Sequence, residues 1–327
     1  MPTPAQVRAV RLRTIELMLV STERGHTKSE IARKLGINRS TAGRDITTLE
    51  EQADIPIIEE DGRYRIDRLR YRFVVRLDVH ESMALHLATR LMATNTDRHN
   101  RHAAAAMRAV AVALQEPAPI VSRQILGSAE AMESEARKKD KPYLLILECL
   151  TEAMSRGYPV DMQYQGQDQR VQPFTFEPYA LEPYAVGRSV YAIGHVRERG
   201  ALRTLKLERI LRAELRMAER YELPQDFSPA NRLAGAWGIW ASEEPAERVV
   251  LRFSAEVAKR VRETQWHASE RTRALPDGRL EWRAEVAEWR EMLHWIRGWG
   301  SEVEAVAPAE LREAVAEDAR RMAGLYG

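Results

Sequence analysis

The sequence predicts a multidomain α+β chain, and three textures along it carry that prediction. The first seventy residues hold short amphipathic helices around a Gly turn, followed by a hairpin. Residues 157–222 turn to short alternating strands with Pro and Gly between them, and residues 247–327 mix strands with helices. A length of 327 residues is expected to hold two or three domains at roughly 150 residues each. The net charge of +2 conceals an asymmetry: residues 1–76 carry 15 Lys/Arg against 11 Asp/Glu, while the rest carries 35 against 37. A mildly basic head on a near-neutral body hints at a polyanion partner for the head. The single cysteine, Cys149, excludes a disulfide framework and a Cys-based zinc site, and its place in an apolar run makes it a small core residue. The N-terminus shows no apolar signal core, and no stretch approaches the length of a membrane span. A cytoplasmic protein away from the membrane is therefore expected.

Residues 5–21 form the first predicted helix, with Val10, Ile15, Leu17, Met18 and Leu19 on its apolar side. Thr27 and Glu30 then make a capping box that opens a second helix, each satisfying an orphan amide of the other. This helix buries Ile31 and Leu35 and stops at Gly36, where a positive φ costs little. Asn38 is placed to cap a third helix, in which Ala42, Ile46 and Leu49 form the buried stripe. Arg39, Ser40, Thr41 and Arg44 lie on its other side. Two short helices around a Gly turn, the second showing Arg and hydroxyls from its first turns, match a helix-turn-helix. There the N-terminal end of the second helix enters the major groove, where Arg forks onto guanine and hydroxyls hold phosphates. A plain helical hairpin with a solvated polar face is the alternative. Asp45 and Glu50 are expected to pair with nearby basic groups of the chain itself.

Residues 57–66 strengthen the first reading. Asp61-Gly62 is a hairpin turn, and on the returning strand Tyr64 and Ile66 share one face while Arg63 and Arg65 share the other. An apolar side toward helices and a basic side toward a phosphate backbone make a wing. Residues 1–70 are thus a winged helix-turn-helix, with Thr27, Lys28, Asn38, Arg39, Ser40, Thr41, Arg44, Arg63 and Arg65 as candidate DNA contacts.

From Asp78 to about Gln115 the chain reads as helical with a loop near 95–100. Pro117-Ala118-Pro119 breaks the pattern, and Ala129–Lys141 is polar and charged. Residues 71–142 are read as a helical connector. His99 and His102 have the spacing of a metal pair, yet a solvated helix start fits better because no further ligand converges on them. A helix over Tyr143–Met154 leads into strands at Val160–Tyr164, Ser189–Ile193 and Thr204–Leu207.

Here the chain resembles the WYL-domain transcriptional regulators. The resemblance rests on Pro178-Tyr179-Ala180-Leu181, on Ser189-Val190-Tyr191-Ala192-Ile193-Gly194-His195 and on the run from Gly200 to Ile210. The namesake triplet stands as Val190-Tyr191-Ala192, Lys206 replaces the usual second Arg, and Glu208 the usual Asp. Trp266-His267-Ala268-Ser269, Asp277-Gly278, residues 295–300 and residues 308–312 resemble the extension that follows WYL domains, so the likeness covers nearly the whole chain. It implies that residues 143–222 are a small Sm-like β-barrel, with its leading helix, that senses a ligand. It also implies that 223–246 is a linker and that 247–327 is an α+β extension which dimerises the protein.

The matching residues suit an anionic effector, single-stranded DNA or a nucleotide. Tyr191 offers a stacking face, Arg203, Lys206 and Arg209 offer three cations within seven residues, and His195 and Arg197 lie just before them. On a regular strand Arg203 and Lys206 point to opposite faces, so convergence requires the strand to bend, bulge or end. The alternative is a set of surface charges pairing with Glu198 and Glu208. The seven Trp residues lie between 237 and 299, and core packing explains them better than a base-stacking surface.

The expected whole is a homodimeric regulator that binds a two-fold-symmetric duplex operator and uses no cofactor. Two other readings stand beside it. One is a ligand-independent architectural nucleic-acid binder. The other is an enzyme with an appended DNA-binding head, disfavoured because the chain shows no phosphate-cradling Gly loop, metal set or nucleophile motif.

Overall fold

The computed structural model describes residues 3–72, 74–95, 98, 100–133, 141–184, 186, 188–242 and 244–327. The chain divides into two compact units, Met1–Asp78 and Val79–Gly327.

In the first unit, helix α1 (Pro4–Ser21) is followed by a two-residue strand β1 (His26–Thr27), then α2 (Lys28–Leu35), α3 (Arg39–Glu51) and the hairpin β2 (Ile57–Glu60) and β3 (Arg63–Ile66). Thr27 and Glu30 form the capping box, and Gly36 ends α2 in the left-handed region at φ 65°. Asn38 occupies the cap position of α3, but its side chain makes no capping bond. Ile15, Leu19, Ile31, Ala42, Ile46, Leu49, Tyr64 and Ile66 close one core. Val10 and Leu17, expected on the apolar side of α1, are exposed instead. The buried residues of that helix are Ile15, Met18 and Leu19, which pack into the core with α3 and the wing. Asp61 and Gly62 both adopt positive φ, as a tight two-residue hairpin turn requires. β1 adds a third strand to the wing, in the order β1-β3-β2.

The second unit opens with α4 (Val79–Asn95), α5 (Arg101–Ala113) and α6 (Pro119–Glu133). Met107, Ala111, Ile125, Ala129 and Met132 pack between α5 and α6. Pro119 therefore starts a helix rather than a loop, since proline suits the first helical turn. Ala129 and Met132, expected in a polar segment, are core residues; residues 134–140 lie outside the described set.

Helix α7 (Lys141–Arg156) then packs on an antiparallel sheet of β4 (Val160–Gln165), β5 (Val171–Tyr184), β6 (Ser189–Val196), β7 (Ala201–Lys206) and β8 (Ile210–Leu215). Their order is β7-β6-β5-β4-β8. No ladder joins β7 to β8 among the described residues, so the expected barrel is an open five-stranded sheet capped by α7. Leu150, Val160, Phe176, Ala192 and Leu207 form its core, with Cys149 partly buried beside them.

Beyond the short helix α8 (Pro229–Leu233), the chain forms β9 (Glu247–Phe253), α9 (Ala258–Arg262), β10 (Arg271–Ala274), β11 (Leu280–Val286), α10 (Leu293–Arg297), β12 (Val303–Ala307) and α11 (Ala309–Tyr326). The sheet order β10-β11-β9-β12 and the succession βαββαβ define a ferredoxin-like arrangement. Trp282, Phe253, Leu251 and Val286 are fully buried against the helices, and Trp237, Trp266, Trp295 and Trp299 pack around them. Core packing is what these tryptophans do; Trp240 is 43% exposed. A 3-10 turn (Trp289–Met292) runs directly into α10.

No helix among the described residues is long and apolar enough to cross a membrane. No group of three metal-ligating side chains occurs among them either.

Candidate nucleic-acid interface and effector face

α3 is held by its inner side. Arg11 of α1 donates from Nε to Asp45 at 2.6 Å and from Nη2 at 3.2 Å, and Asp45 is 2% exposed. Arg8 adds a bond to the Thr48 hydroxyl. With the buried stripe, these contacts fix the rotation of α3, so that Arg39, Ser40 and Arg44 lie exposed at its N-terminal half and Thr41 is half-buried beside them. An α-helix N-terminus carrying free guanidinium and hydroxyl groups suits a major groove, because its amides and its dipole favour phosphate. Asp45 is thus the intramolecular partner that its spacing suggested.

Other candidates are already engaged. The Thr27 hydroxyl accepts the Glu30 amide within the cap. The Lys28 ammonium lies 4.8 Å from the centre of the Tyr64 ring. Arg63 donates to the Glu30 carboxylate and to the Gly25 carbonyl, and Arg65 pairs with Glu60 at 3.4 Å. The Thr27 backbone bond, helped by Arg63, holds the Glu30 carboxyl below the usual range. The basic face of the wing is therefore partly neutralised by the protein itself. Arg33 and Lys34, absent from the sequence-derived set, are exposed in the last turn of α2. Their position just before the Gly36 turn is the signal that marks them.

In the second unit, the β6–β7 register places Tyr191 opposite Lys206 and His195 opposite Leu202, while Gly194 faces Arg203 and Ala192 faces Leu205. Tyr191, His195 and Lys206 therefore share one side of the sheet. Arg203 lies on the other, the side of the buried Leu205, where its exposed guanidinium donates to the Leu202 carbonyl. β7 ends at Lys206, and a 3-10 turn (Leu207–Arg209) follows, so the strand terminates within the cationic stretch. That ending brings Arg209 near the Tyr191 hydroxyl, whose pKa burial and Glu208 raise while Arg209 opposes the rise. Arg209 meets no carboxylate at ion-pair distance among the described residues. Gly194 is obligatory for the close passage of β5, since a Cβ there would lie 2.2 Å from the Glu177 carbonyl oxygen.

His195 and Arg197 are drawn to a different point. The His195 ring nitrogen Nδ1 lies 3.6 Å from Glu177, and Arg197 donates to Glu177 at 2.7 Å and also to Glu219. Of the six sequence-derived effector residues, Tyr191, Lys206 and Arg209 group together, His195 and Arg197 form a Glu177 cluster, and Arg203 stands apart. Glu198 accepts the Thr175 amide, and Glu208 accepts the Ser189 hydroxyl with Arg98 3.9 Å away. Arg98, which precedes α5, is a contact that no sequence signal revealed. Next to it, Arg101 and His102 pair with Glu148 of α7, His102 at 2.7 Å. His102 thus meets a carboxylate, and His99 lies outside the described residues. Tyr184 packs edge-on to Tyr191 at 6.0 Å. Buried Glu291 accepts the amides of Gly238, Ile239 and Trp240 and borders Tyr184, whose pKa is raised first by burial and then by this carboxylate.

These features define a DNA-binding protein of the helix-turn-helix class with two further modules behind its head. Family models match in the same order: an HTH domain over residues 11–65, a WYL domain over 146–215 and a WCX domain over 245–323. The chain belongs to the WYL-domain transcriptional regulators with an N-terminal helix-turn-helix. A search of curated proteins finds no match. Among solved structures, the proteasome accessory factor B/C (PafBC) of Arthrobacter aurescens is similar at 18% identity and a TM-score of 0.32. The overlap covers 94% of this chain and 46% of that one. A CRISPR Cas-related protein is similar at 11% identity and a TM-score of 0.40, over 62% of this chain and 58% of that one. The chain thus spans less than two thirds of either structure.

Proposed function

We propose that this regulator binds a specific duplex operator through α3 and that a nucleic-acid or nucleotide effector at Tyr191, Lys206 and Arg209 alters that binding. The observation that carries the first half is the exposed Arg39, Ser40 and Arg44 edge of α3, oriented from behind by the Arg11–Asp45 pair. Arg33 and Lys34 serve as phosphate contacts beside it, and Arg65 reaches phosphate from the wing once Glu60 is displaced. The second half is supported by an aromatic ring and a lysine on one side of a sheet with an arginine in the turn that follows, a mixture that stacks a base and neutralises its phosphate. Lys206 holds a phosphate as a point charge without the fork of Arg, which favours a phosphate contact over planar recognition. Arg98 gives the helical segment a direct contact with the turn that carries Arg209, and movement of that turn is the route by which the effector acts. The protein works as a cytoplasmic homodimer on a two-fold-symmetric site, without catalytic activity.

The test is duplex from the gene's own promoter region, labelled and titrated at fixed salt, with and without short single-stranded DNA and nucleotides. A large effector-dependent change in duplex affinity supports the reading. Tight, specific duplex binding indifferent to every candidate removes the effector half. Binding without sequence preference, governed by salt alone, favours the architectural alternative.

A further inference from the structure

The outer face of the ferredoxin-like sheet carries a charge pattern that its fold does not require. In register, Arg271 lies opposite Arg283, Arg273 opposite Glu281, Glu281 opposite Arg252, and Glu285 opposite Arg248. Their neighbours Trp282, Leu251 and Phe253 fill the helix-covered side, so these charged side chains share the open one. Five arginines there meet three carboxylates, those of Glu281, Glu285 and Glu304.

The carboxylates do not satisfy the set. Glu281 is shared by Arg252, Arg273 and Arg283 at 3.3–3.7 Å. Glu304 is taken by Arg279 and Arg312 from outside the five. Arg248 and Arg271 meet no carboxylate at ion-pair distance among the described residues, and the Arg252 Nε is buried without a hydrogen-bond partner. Like charges directly opposite each other across a ladder destabilise a sheet, and the Arg271–Arg283 pair has that arrangement. An external anion relieves the repulsion and supplies the missing acceptors.

We infer that this face binds the sugar–phosphate backbone of a single-stranded nucleic acid, at a surface separate from the Tyr191 group. Guanidinium forks match phosphate oxygens bidentately, and rows of them on adjacent strands follow a polyanion rather than one isolated anion. A broad four-stranded sheet does not enter a duplex groove, which admits a helix or a two-stranded ribbon. It does offer an open platform to a single strand. The described outward positions carry no aromatic side chain, so the grip is on the backbone and tolerant of sequence.

The test uses the full chain and a fluorescent twelve-nucleotide oligo(dT), read by anisotropy across a salt series. The triple variant Arg248→Gln, Arg271→Gln, Arg283→Gln is expected to lose about tenfold or more in affinity. Its plot of log affinity against log salt is expected to flatten by about two units for three lost phosphate contacts. Glu285→Gln, an exposed site, is expected to tighten binding, a gain that misfolding cannot imitate. The triple variant is also made in a Lys206→Gln, Arg209→Gln background, where the Tyr191 group no longer contributes, and a loss of about tenfold or more is expected there too. In that background, affinity of the triple variant within twofold of the background alone overturns the inference, as does complete loss of binding in the background alone. Equal displacement of the oligonucleotide by polyglutamate of matching charge overturns it in favour of an acidic protein partner. Because the Lys206/Arg209 background removes the proposed effector group from the readout, failure of this inference is separable from failure of the effector reading, on which it does not depend.

Discussion

Arg44 projects into solvent from α3, while Asp45, the next residue, is buried against Arg11. Substituting each therefore has a different signature. Arg44→Ala is expected to weaken specific duplex binding by about 1–3 kcal/mol with the fold intact, if it forks onto a base. Unchanged operator affinity takes it out of the base-reading set. Asp45→Ala leaves the Arg11 guanidinium without its carboxylate, and urea unfolding should show a loss of about 1.5–3 kcal/mol. The parity of an amphipathic helix made this division legible: Ala42, Ile46 and Leu49 mark the buried side, and Asp45 lies on it. The fate of Arg63 was not legible, because its partner Glu30 lies 33 residues earlier and meets it only once the wing folds back. Cys149 follows the same logic of environment. Burial pushes its thiol up to about 11, so thiol reagents at pH 8 should label the native protein far more slowly than the urea-unfolded chain.

At the scale of elements, sequence reading succeeded where periodicity was strong and failed where the ladder changed sides. β5 runs for fourteen residues and contains Pro173, Pro178 and Pro183, which argue against a strand. Residues 171–176 pair with β4 and residues 176–184 with β6, so that Phe176 alone is paired on both sides, and a bulge lies between Pro178 and Ala180. Each half is thus an edge on one side, and an edge tolerates the missing amide. β10 is exposed along its whole length and β1 has two residues, so neither leaves a hydrophobic alternation to read. The capping box of α2, by contrast, was visible as Thr27 and Glu30 three residues apart, and it carries a pH dependence. The backbone bond from Thr27, then Arg63, depresses the Glu30 pKa in the folded state. A depressed carboxylate contributes stability above its unfolded pKa of about 4.3 and loses it as pH falls through the folded value. Thermal unfolding of the parent should therefore drop more steeply below about pH 4 than that of Glu30→Gln. Parallel curves would show that the cap adds nothing in this range.

For the whole molecule, the proposed regulation reduces to one coupling free energy between an effector in the second unit and duplex at the first. An effector changes operator affinity only by as much as it distinguishes the duplex-binding arrangement from the alternative. Linkage then demands that operator duplex change effector affinity by the same factor. A strand that merely competes for α3 always weakens duplex binding, so a strand that tightens it, or one whose effect depends on Lys206 and Arg209, acts from a second site. Lys206→Gln with Arg209→Gln should retain basal duplex affinity while abolishing both directions of the effect, measured by anisotropy with the label first on the duplex and then on the effector. Arg203→Ala, on the opposite side of the sheet from Tyr191, should leave both directions intact. If Arg203→Ala instead abolishes the response and the Lys206/Arg209 variant does not, the effector lies on the Leu205 side of the sheet and the Tyr191 group is structural. Equal shifts in both directions, lost together in the Lys206/Arg209 variant, place the effector at Tyr191 and make the turn after β7 the element whose position the duplex senses.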